Sequence, residues 1–187
     1  PYLHEDERNF TGDQLLVCPM HSWRISHDNN PDFHDVMAVI QSVLPFGSLF
    51  APIARPGCWP DPDMLQIHGM QHDLAGARSH VSVWAIASAP MVISFDLTNE
   101  ELRSAMWPLI SNRRVLDVNA AWAGHPGTLL AQSRNLPSNG SAVSNNPHLK
   151  HLVLRTQWQL WAKPLPGGSV AVLGINFDGF LSLEVSF

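Results

Sequence analysis

The stretch GCWPDPDML, residues 57–65, places two aspartates one residue apart with a proline between them. A tryptophan precedes the pair, and methionine and leucine follow it. Proline fixes its own φ and restricts the residue before it, so Asp61 and Asp63 belong to a stiff turn. Solvent-exposed acids rarely have such aromatic and apolar neighbours. The stretch therefore predicts carboxylates that are held in place on a proline-stiffened turn.

Strand and helix patterns alternate on both sides of this stretch. In chain order, periodicity and turn residues predict a strand at 15–17 that ends near 21–24, a helix at 33–44, a strand at 64–67, a helix at 74–88, a strand at 90–94 and a helix at 98–107. Asp28, Asn29 and Asn30 are cap-type residues ahead of the first helix, and a capping box at 98–101 opens the last one. Repeated βα units favour a parallel sheet, either open or closed as a barrel.

The pattern changes after Gly124. Short apolar runs separated by Pro, Gly, Ser and Asn predict strands at 129–131, 152–155, 158–163 and 170–176. This pattern is typical of antiparallel β structure in a sandwich. We therefore expect residues 1–125 to belong to a βα domain and residues 126–187 to begin an antiparallel β domain. Outside the strand ends, five tryptophans are expected in the core: Trp84, Trp107, Trp122, Trp158 and Trp161.

Composition excludes several classes of protein. The 187 residues carry a net charge of −5, so no basic surface predicts binding to nucleic acid or to an anionic membrane. No apolar run reaches the roughly 18 residues that a membrane span needs. The chain begins at Pro1 rather than Met and ends in a strand-like run, so we interpret it as a piece of a longer protein. Glycosylation triplets at Asn9 and Asn139 give weak support for a secretory route.

Histidines and cysteines raise two further alternatives. Ligand spacing on a helix occurs in two histidine pairs, His68 with His72 and His148 with His151. No third histidine or cysteine joins either pair at a familiar spacing, so we predict neither a metal site nor a cofactor. Cys18 can pair with Cys58 or with a cysteine further upstream, and the sequence leaves both open.

The predicted strand ends carry side chains that suit a carbohydrate. In a βα barrel, reactive residues lie at the C-terminal ends of the strands. The three ends carry, in order, Trp23, Arg24 and Asp28; Trp59, Asp61, Asp63 and Met64; and Ser94 and Asp96. Carboxylates and arginine hydrogen-bond hydroxyl groups, and tryptophan faces stack on the apolar side of a sugar ring. Retaining glycosidases use two carboxyl groups about 5–5.5 Å apart, one as nucleophile and one as acid/base.

Several segments, in chain order, resemble the melibiases, the α-galactosidase and α-N-acetylgalactosaminidase family (glycoside hydrolase family 27). HSWRISHD at 21–28 resembles the family's N-x-W-R-x-x-x-D segment, and residues 57–65 resemble G-x-W-N-D-P-D-M-L. WAIASAPMVIS at 84–94 is similar to W-[AS]-[IL]-x-x-A-P-L-x-x-S. QLWAKPLP at 159–166 resembles the start of the family's C-terminal β domain.

The resemblance implies an α/β fold: the last βα units of a TIM (β/α)8 barrel, followed by part of an antiparallel β-sandwich domain. It implies hydrolysis of terminal α-D-galactosyl residues by a retaining double displacement, with an α-galactoside as substrate. It also implies a secreted, lysosomal or vacuolar location, and it is compatible with a homodimer.

The motifs also imply a role for each matching residue. Asp28 would be the acid/base that protonates the leaving oxygen, and Arg24 would hold a substrate hydroxyl or the nearby carboxylates. Asp63 would hydrogen-bond the sugar, Met64 would line the pocket, and Trp59 would contact the substrate. Structural alternatives stand beside these roles: a helix cap for Asp28, a surface ion pair for Arg24, turn formation for Asp61 and Asp63, and packing for Trp23 and Trp59. For Asp61 we expect the structural role, as a buttress of the turn.

The chain departs from the family pattern in several places. The K-x-D segment that carries the nucleophile and the C-E-W segment that selects between galactose and N-acetylgalactosamine are absent from the 187 residues. Pro60 replaces an asparagine of the family motif, and His27 directly precedes Asp28. These departures leave an alternative open, in which the protein is a degenerate family member that binds galactosides without cleaving them.

Overall fold

A computed structural model describes residues 21–47, 52–133 and 157–177. Its helices and strands are, in chain order, β1 (Ser22–Arg24), α1 (Phe33–Ile40), β2 (Trp59–Asp61), α2 (Leu74–Ile86), α3 (Glu100–Ile110), α4 (Arg113–Ala120), β3 (Thr128–Gln132), β4 (Trp158–Pro164) and β5 (Val170–Asn176). Outside the described residues lie the predicted strands at 15–17 and 152–155, Cys18, both glycosylation triplets and the histidine pair at 148 and 151. Cys58 takes part in a disulfide bond.

β1 and β2 form a parallel pair, so their carboxyl ends meet at one edge. The hydrogen bonds between them use the residues on either side of Pro60: the Trp59 N–H donates to the His21 carbonyl at 2.9 Å, and the Ile25 N–H donates to the Asp61 carbonyl at 3.0 Å. Alternate residues of a strand direct their backbone groups to opposite edges. The missing N–H of Pro60 therefore costs this strand pair no hydrogen bond.

The strands predicted at 64–67 and 90–94 are wrong as continuous strands. Leu65 and Ile93 form an isolated parallel bridge, and the Leu65 N–H donates to the Val92 carbonyl at 2.8 Å. The Ser94 hydroxyl donates to the Leu65 carbonyl at 2.7 Å. A side chain thus occupies an acceptor that a longer strand ladder would use, and Ile67–Met70 turns into a 3₁₀ helix directly afterwards.

The predicted first helix begins where expected, but its cap is different. The Asp32 carboxylate accepts from the backbone N–H groups of His34 and Asp35, so the cap predicted at 28–30 is wrong. α1 ends at Ile40, and a 3₁₀ helix over Gln41–Phe46 continues it. Pro45 lies inside this segment and cannot donate a helical hydrogen bond, which is consistent with the change in helix type.

The later helices differ from the predictions mainly at their ends. α2 confirms the helix predicted at 74–88. α3 begins one residue later than the capping box suggested, because Asn99 rather than Thr98 caps it by accepting from the Leu102 N–H. It also continues beyond 107 to Ile110. α4 lies where the sequence predicted no helix.

The helices and the antiparallel strands share one hydrophobic core. Its largest members are contributed by α1, α2, α3, β4 and the Leu65–Ile67 segment: Met37, Ile40, Leu65, Ile67, Trp84, Met106 and Trp161. Burial of Trp84 and Trp161 confirms the core prediction for them, whereas Trp122 and Trp158 are only half-buried. The prediction for Trp107 is wrong, since its side chain is 52% exposed while Met106 beside it faces the core.

The antiparallel part is confirmed as a sheet with the order β3-β4-β5. The link from α4 to this sheet passes against the end of α2, where the Gly127 N–H donates to the Ile86 carbonyl at 2.8 Å. A Cβ at Gly127 would lie 2.2 Å from that carbonyl oxygen, so this approach requires glycine. The domain boundary at 125/126 stays a prediction, although it falls between the last helix and β3.

A buried lysine joins the sheet to the helices. Lys163 in β4 is fully buried, and its ammonium donates to the Ser88 hydroxyl at 2.7 Å, to the Asn119 carbonyl at 3.0 Å and to the Val118 carbonyl. The two carbonyls belong to the C-terminal turn of α4, where a cation is favoured by the helix dipole. Burial nevertheless lowers the pKa of Lys163 to about 8.

His80 in α2 is a buried histidine whose ring makes no hydrogen bond within the part of the chain that the structure describes. Neither ring nitrogen has a partner among the described residues, and the ring packs against Trp84 with centroids 4.3 Å apart. Burial lowers the pKa of His80 from its ordinary value of 6.5 to about 3. The folded chain therefore holds this ring neutral at pH values where the unfolded chain would protonate it.

Acidification should destabilise the fold through His80. Its folded pKa lies below its unfolded pKa, so the stability present above pH 6.5 is lost as pH falls from 6.5 towards 3. For this one group the loss in unfolding free energy between pH 7 and pH 5 is about 2 kcal/mol. Urea unfolding of His80→Phe at both pH values should show a smaller loss than the parent. The exposed control His72→Gln should keep the full loss, and an equal loss in His80→Phe would contradict the assignment.

Candidate active site

One arginine connects two carboxylates at the edge where β1 and β2 end. Arg24, the last residue of β1, places Nη2 2.7 Å from Asp63 Oδ2 and 2.9 Å from Asp28 Oδ1. The side chain of Asp63 is 4% exposed and that of Asp28 is 83% exposed. The structure thus brings together three of the predicted site residues, with one carboxylate buried and the other open to solvent.

Every polar part of Asp63 has a partner. Its carboxylate accepts from the Asn29 N–H at 2.8 Å and from the Met64 N–H at 2.7 Å. Its own N–H donates to Asp61 Oδ1 at 3.0 Å, and its carbonyl accepts from Trp84 Nε1 at 2.9 Å. The prediction that Asp61 buttresses the turn is therefore confirmed.

The backbone of Asp63 is strained. Its φ of +113° lies in a region that side-chain-bearing residues rarely adopt. Such a conformation costs on the order of 1–3 kcal/mol and persists only where the surroundings hold it. Two hydrogen bonds supply that support here. Asp61 binds the backbone N–H of Asp63 and Trp84 binds its carbonyl, so both backbone polar groups of Asp63 are held.

The loop that carries Asp28 is tied to the same turn. The Ser26 hydroxyl donates to the Pro62 carbonyl at 2.8 Å, and the Asn29 amide donates to the Met64 carbonyl at 3.4 Å. The helix-cap alternative for Asp28 is wrong, because Asp32 caps α1. Asp28 therefore belongs to the strand-end loop beside Arg24 rather than to the helix.

The other predicted site residues lie around this cluster in different surroundings. Met64 is 40% exposed, directly after Asp63. Trp59 is half-buried and packs edge-to-face on Trp122, with ring centroids 5.6 Å apart and an interplanar angle of 77°. This contact shows a packing role for Trp59, and contact with a substrate stays a prediction. Trp23 likewise packs edge-to-face on Phe46.

Ser94 and Asp96, at the third predicted strand end, contact residues outside the cluster of Arg24, Asp28 and Asp63. Asp96 is exposed and accepts from the Thr98 hydroxyl at 2.7 Å and the Thr98 N–H at 2.8 Å, which lowers the pKa of its carboxyl group. The ring of His68 lies 3.4 Å from the Ser94 hydroxyl. His68 belongs to the 3₁₀ helix Ile67–Met70 and not to an α-helix, on which the spacing to His72 would place both rings on one face. Among the described residues, no group of three potential metal ligands is found.

Two residues of the site were missed by sequence reasoning. Asn29 was interpreted as a cap-type residue, but its backbone N–H binds the Asp63 carboxylate. Trp84 was assigned to the core, and it is buried there, yet its indole N–H also reaches the Asp63 carbonyl. The one available signal was sequence adjacency: Asn29 follows Asp28, and Trp84 begins the 84–94 segment.

Comparison with known proteins shows the family of this chain. The family model described as "Melibiase_2: Alpha galactosidase A" matches residues 4–121. The chain belongs to the melibiase family. Relatives of this melibiase chain include an alpha-galactosidase of Oryza sativa subsp. japonica, 31% identical, which aligns with 81% of the chain, and the alpha-N-acetylgalactosaminidase of Homo sapiens, 25% identical, which aligns with 65%. The chain spans only 36% and 29% of these two proteins.

Solved structures of α-galactosidases share the fold. The alpha-galactosidase of Saccharomyces cerevisiae matches with a TM-score of 0.59 at 20% identity, over 83% of the melibiase chain and 35% of its own. A putative alpha-galactosidase of Bacteroides fragilis matches with a TM-score of 0.62 at 19% identity, over 83% of the chain and 31% of its own. At these identities the structures establish an α/β fold in common with part of an α-galactosidase.

Loss of Arg24 should destabilise the melibiase chain far more than loss of Asp28. Arg24→Gln leaves the Asp63 carboxylate buried without its cation, which should cost about 2–4 kcal/mol of unfolding free energy. Asp28→Asn changes an exposed pair and should cost less than about 1 kcal/mol. The matched control is Arg113→Gln, which removes an exposed pair to Asp117 at 2.8 Å. Denaturant titration checks the order, and equal losses for Arg24→Gln and Arg113→Gln would contradict it.

Proposed function

We propose that this chain forms part of an α-galactosidase that hydrolyses terminal α-D-galactosyl residues with retention of configuration. The observation that carries the proposal is the arginine-linked carboxylate pair, with Asp63 buried and fixed and Asp28 exposed. A sugar-binding pocket needs a fixed acceptor for hydroxyl groups, and an acid/base needs access to the leaving oxygen. The pair provides one residue suited to each task.

Asp28 is proposed as the acid/base. In a retaining mechanism its protonated form would donate a proton to the leaving oxygen, and its carboxylate would then take a proton from the attacking water. The proposed nucleophile is the aspartate of a K-x-D segment that lies outside these 187 residues. Arg24, at 2.9 Å, would orient the Asp28 carboxyl group towards the bound sugar.

Asp63 is proposed to hold the galactosyl unit. A carboxylate has about four lone-pair positions, and backbone N–H groups and Arg24 occupy only part of them. The one remaining position would accept a hydrogen bond from a sugar hydroxyl, with Met64 forming an apolar wall. A solved structure of the Saccharomyces cerevisiae α-galactosidase with raffinose supports an α-galactoside as the ligand class.

The proposed setting is the last part of a (β/α)8 barrel with an attached antiparallel β-sandwich domain. The parallel β1–β2 pair and the parallel bridge from Leu65 to Ile93 support the barrel, and the β3-β4-β5 sheet supports the second domain. Residues 1–125 and 126–187 would belong to these two parts.

A secreted, lysosomal or vacuolar location belongs to the same proposal. Within residues 21–47, 52–133 and 157–177, none of the helices combines the length and the apolar composition of a membrane span. Assembly as a homodimer stays a prediction. The missing N–H of Pro60 removes no hydrogen bond between β1 and β2, so this departure from the family motif leaves the strand pair intact.

Replacement of Asp28 tests the acid/base assignment. In the full-length protein, Asp28→Asn should lower kcat/KM for an α-galactoside by about 10²–10⁴-fold, since it removes general acid/base catalysis. Asp117→Asn changes an exposed, ion-paired carboxylate on α4 and should leave kcat/KM unchanged within error. Unchanged turnover in Asp28→Asn would exclude Asp28 as the acid/base.

The sequence upstream of Pro1 in the source transcript decides between the enzyme and the binding protein. The proposed function requires an encoded strand that ends in K-x-D. Without an acid at that position, galactose should still raise the melting temperature of the protein, but no α-galactoside should be hydrolysed.

A further inference from the structure

A buried tryptophan side chain supports the strained residue at the centre of the site. Trp84 lies in α2 and is fully buried, and its Nε1 is 2.9 Å from the Asp63 carbonyl oxygen. Asp63 has a φ of +113°. Relaxation of that angle to an ordinary negative value would swing the carbonyl away from the indole and move the carboxylate away from Arg24. The indole hydrogen bond therefore opposes the relaxation.

The indole can oppose this relaxation because its own position is fixed. The Asn119 amide donates to the Trp84 carbonyl at 3.3 Å and to the Ala89 carbonyl at 3.0 Å, which holds the C-terminal end of α2. The His80 ring packs against the indole from within the same helix. A side chain held in this way supplies a donor at a defined point below the Asp61–Asp63 turn.

We propose that Trp84 is a positioning residue, whose indole N–H holds Asp63 in the conformation that presents its carboxylate to Arg24 and to a bound galactosyl unit. The inference rests on the proposed function for its consequence in catalysis, but the contact between Trp84 and Asp63 does not depend on that function. The free energy lost when a buried carbonyl has no partner is comparable to the cost of a strained φ. Removal of this one donor therefore weakens the support of Asp63 by an amount comparable to the strain that it opposes.

The chain offers a matched control for this test. Trp161 is also a fully buried tryptophan, and its Nε1 donates to Gln159 Oε1 at 3.1 Å within β4. Trp84→Phe and Trp161→Phe each remove one buried indole hydrogen bond, but only the first bond reaches the turn that carries Asp63. Should Trp84→Phe fail to fold, β-(3-benzothienyl)alanine at position 84 replaces the N–H by sulfur at nearly the same shape.

The first readout does not require activity. The backbone N–H groups of Asn29 and Met64 donate to the Asp63 carboxylate, so their hydrogen exchange reports whether that carboxylate stays in place. In the full-length protein, Trp84→Phe should speed exchange at both amides by about tenfold or more relative to Trp161→Phe. Unchanged protection at both amides in Trp84→Phe would overturn the proposal.

The second readout is catalytic. Trp84→Phe should lower kcat/KM for an α-galactoside by about 10–100-fold, as expected for a displaced binding group, while Trp161→Phe should change it by less than about threefold. Equal losses in the two variants would show a general packing effect and would overturn the positioning role. A parent protein that neither hydrolyses nor binds galactosides would refute the proposed function instead, and the exchange of Asn29 and Met64 would still decide the role of Trp84.

Discussion

The site depends on one buried carboxylate, Asp63, that is held in a strained backbone conformation. A buried charge is stable only when it is paired and hydrogen-bonded, and Asp63 has a guanidinium and two backbone N–H groups as partners. These partners come from β1, from the loop after it and from the turn after β2. Burial of the carboxylate with all of these partners therefore requires that the two strand ends meet at one edge. The parallel pairing of β1 and β2 meets this requirement.

The antiparallel sheet stabilises the helix that carries Trp84 through contacts outside the candidate site. Lys163 in β4 donates to Ser88 after α2 and to the last carbonyls of α4, so its ammonium holds the ends of two helices together. Asn119 from α4 in turn binds the end of α2, the helix that carries Trp84. Trp161 and Ile175 of the sheet also belong to the core that buries α2. The two parts of the chain are thus joined by a shared core as well as by sequence.

Sequence reasoning predicted the helices and strands whose apolar residues recur at a regular spacing. It missed the features that depend on single contacts. α1, α2, β4 and β5 follow from regular apolar spacing, and the meeting of Arg24 with both aspartates follows from parallel strand ends. The strand predicted at 90–94 is reduced to one bridge beside Ser94, whose hydroxyl binds the Leu65 carbonyl, and no periodicity reveals such a contact. Asn29 was missed because it acts through its backbone N–H, a group that every non-proline residue has. Trp84 was recognised as apolar, but the direction of its N–H depends on the packing of α2.

The shared arginine has different consequences for its two carboxylates. Its pair with Asp28 is exposed and screened by water, so separating them costs little, whereas its pair with Asp63 is enclosed and hard to break. In the proposed site, the enclosed pair of Arg24 and Asp63 would stay in place when a sugar enters and meets the exposed Asp28 carboxyl group. Under the proposed mechanism this asymmetry is useful, because proton transfer requires a carboxyl group that can adjust its position, and sugar recognition requires one that cannot. Both residues are aspartates, so the difference between their proposed roles would come from their surroundings rather than from residue type.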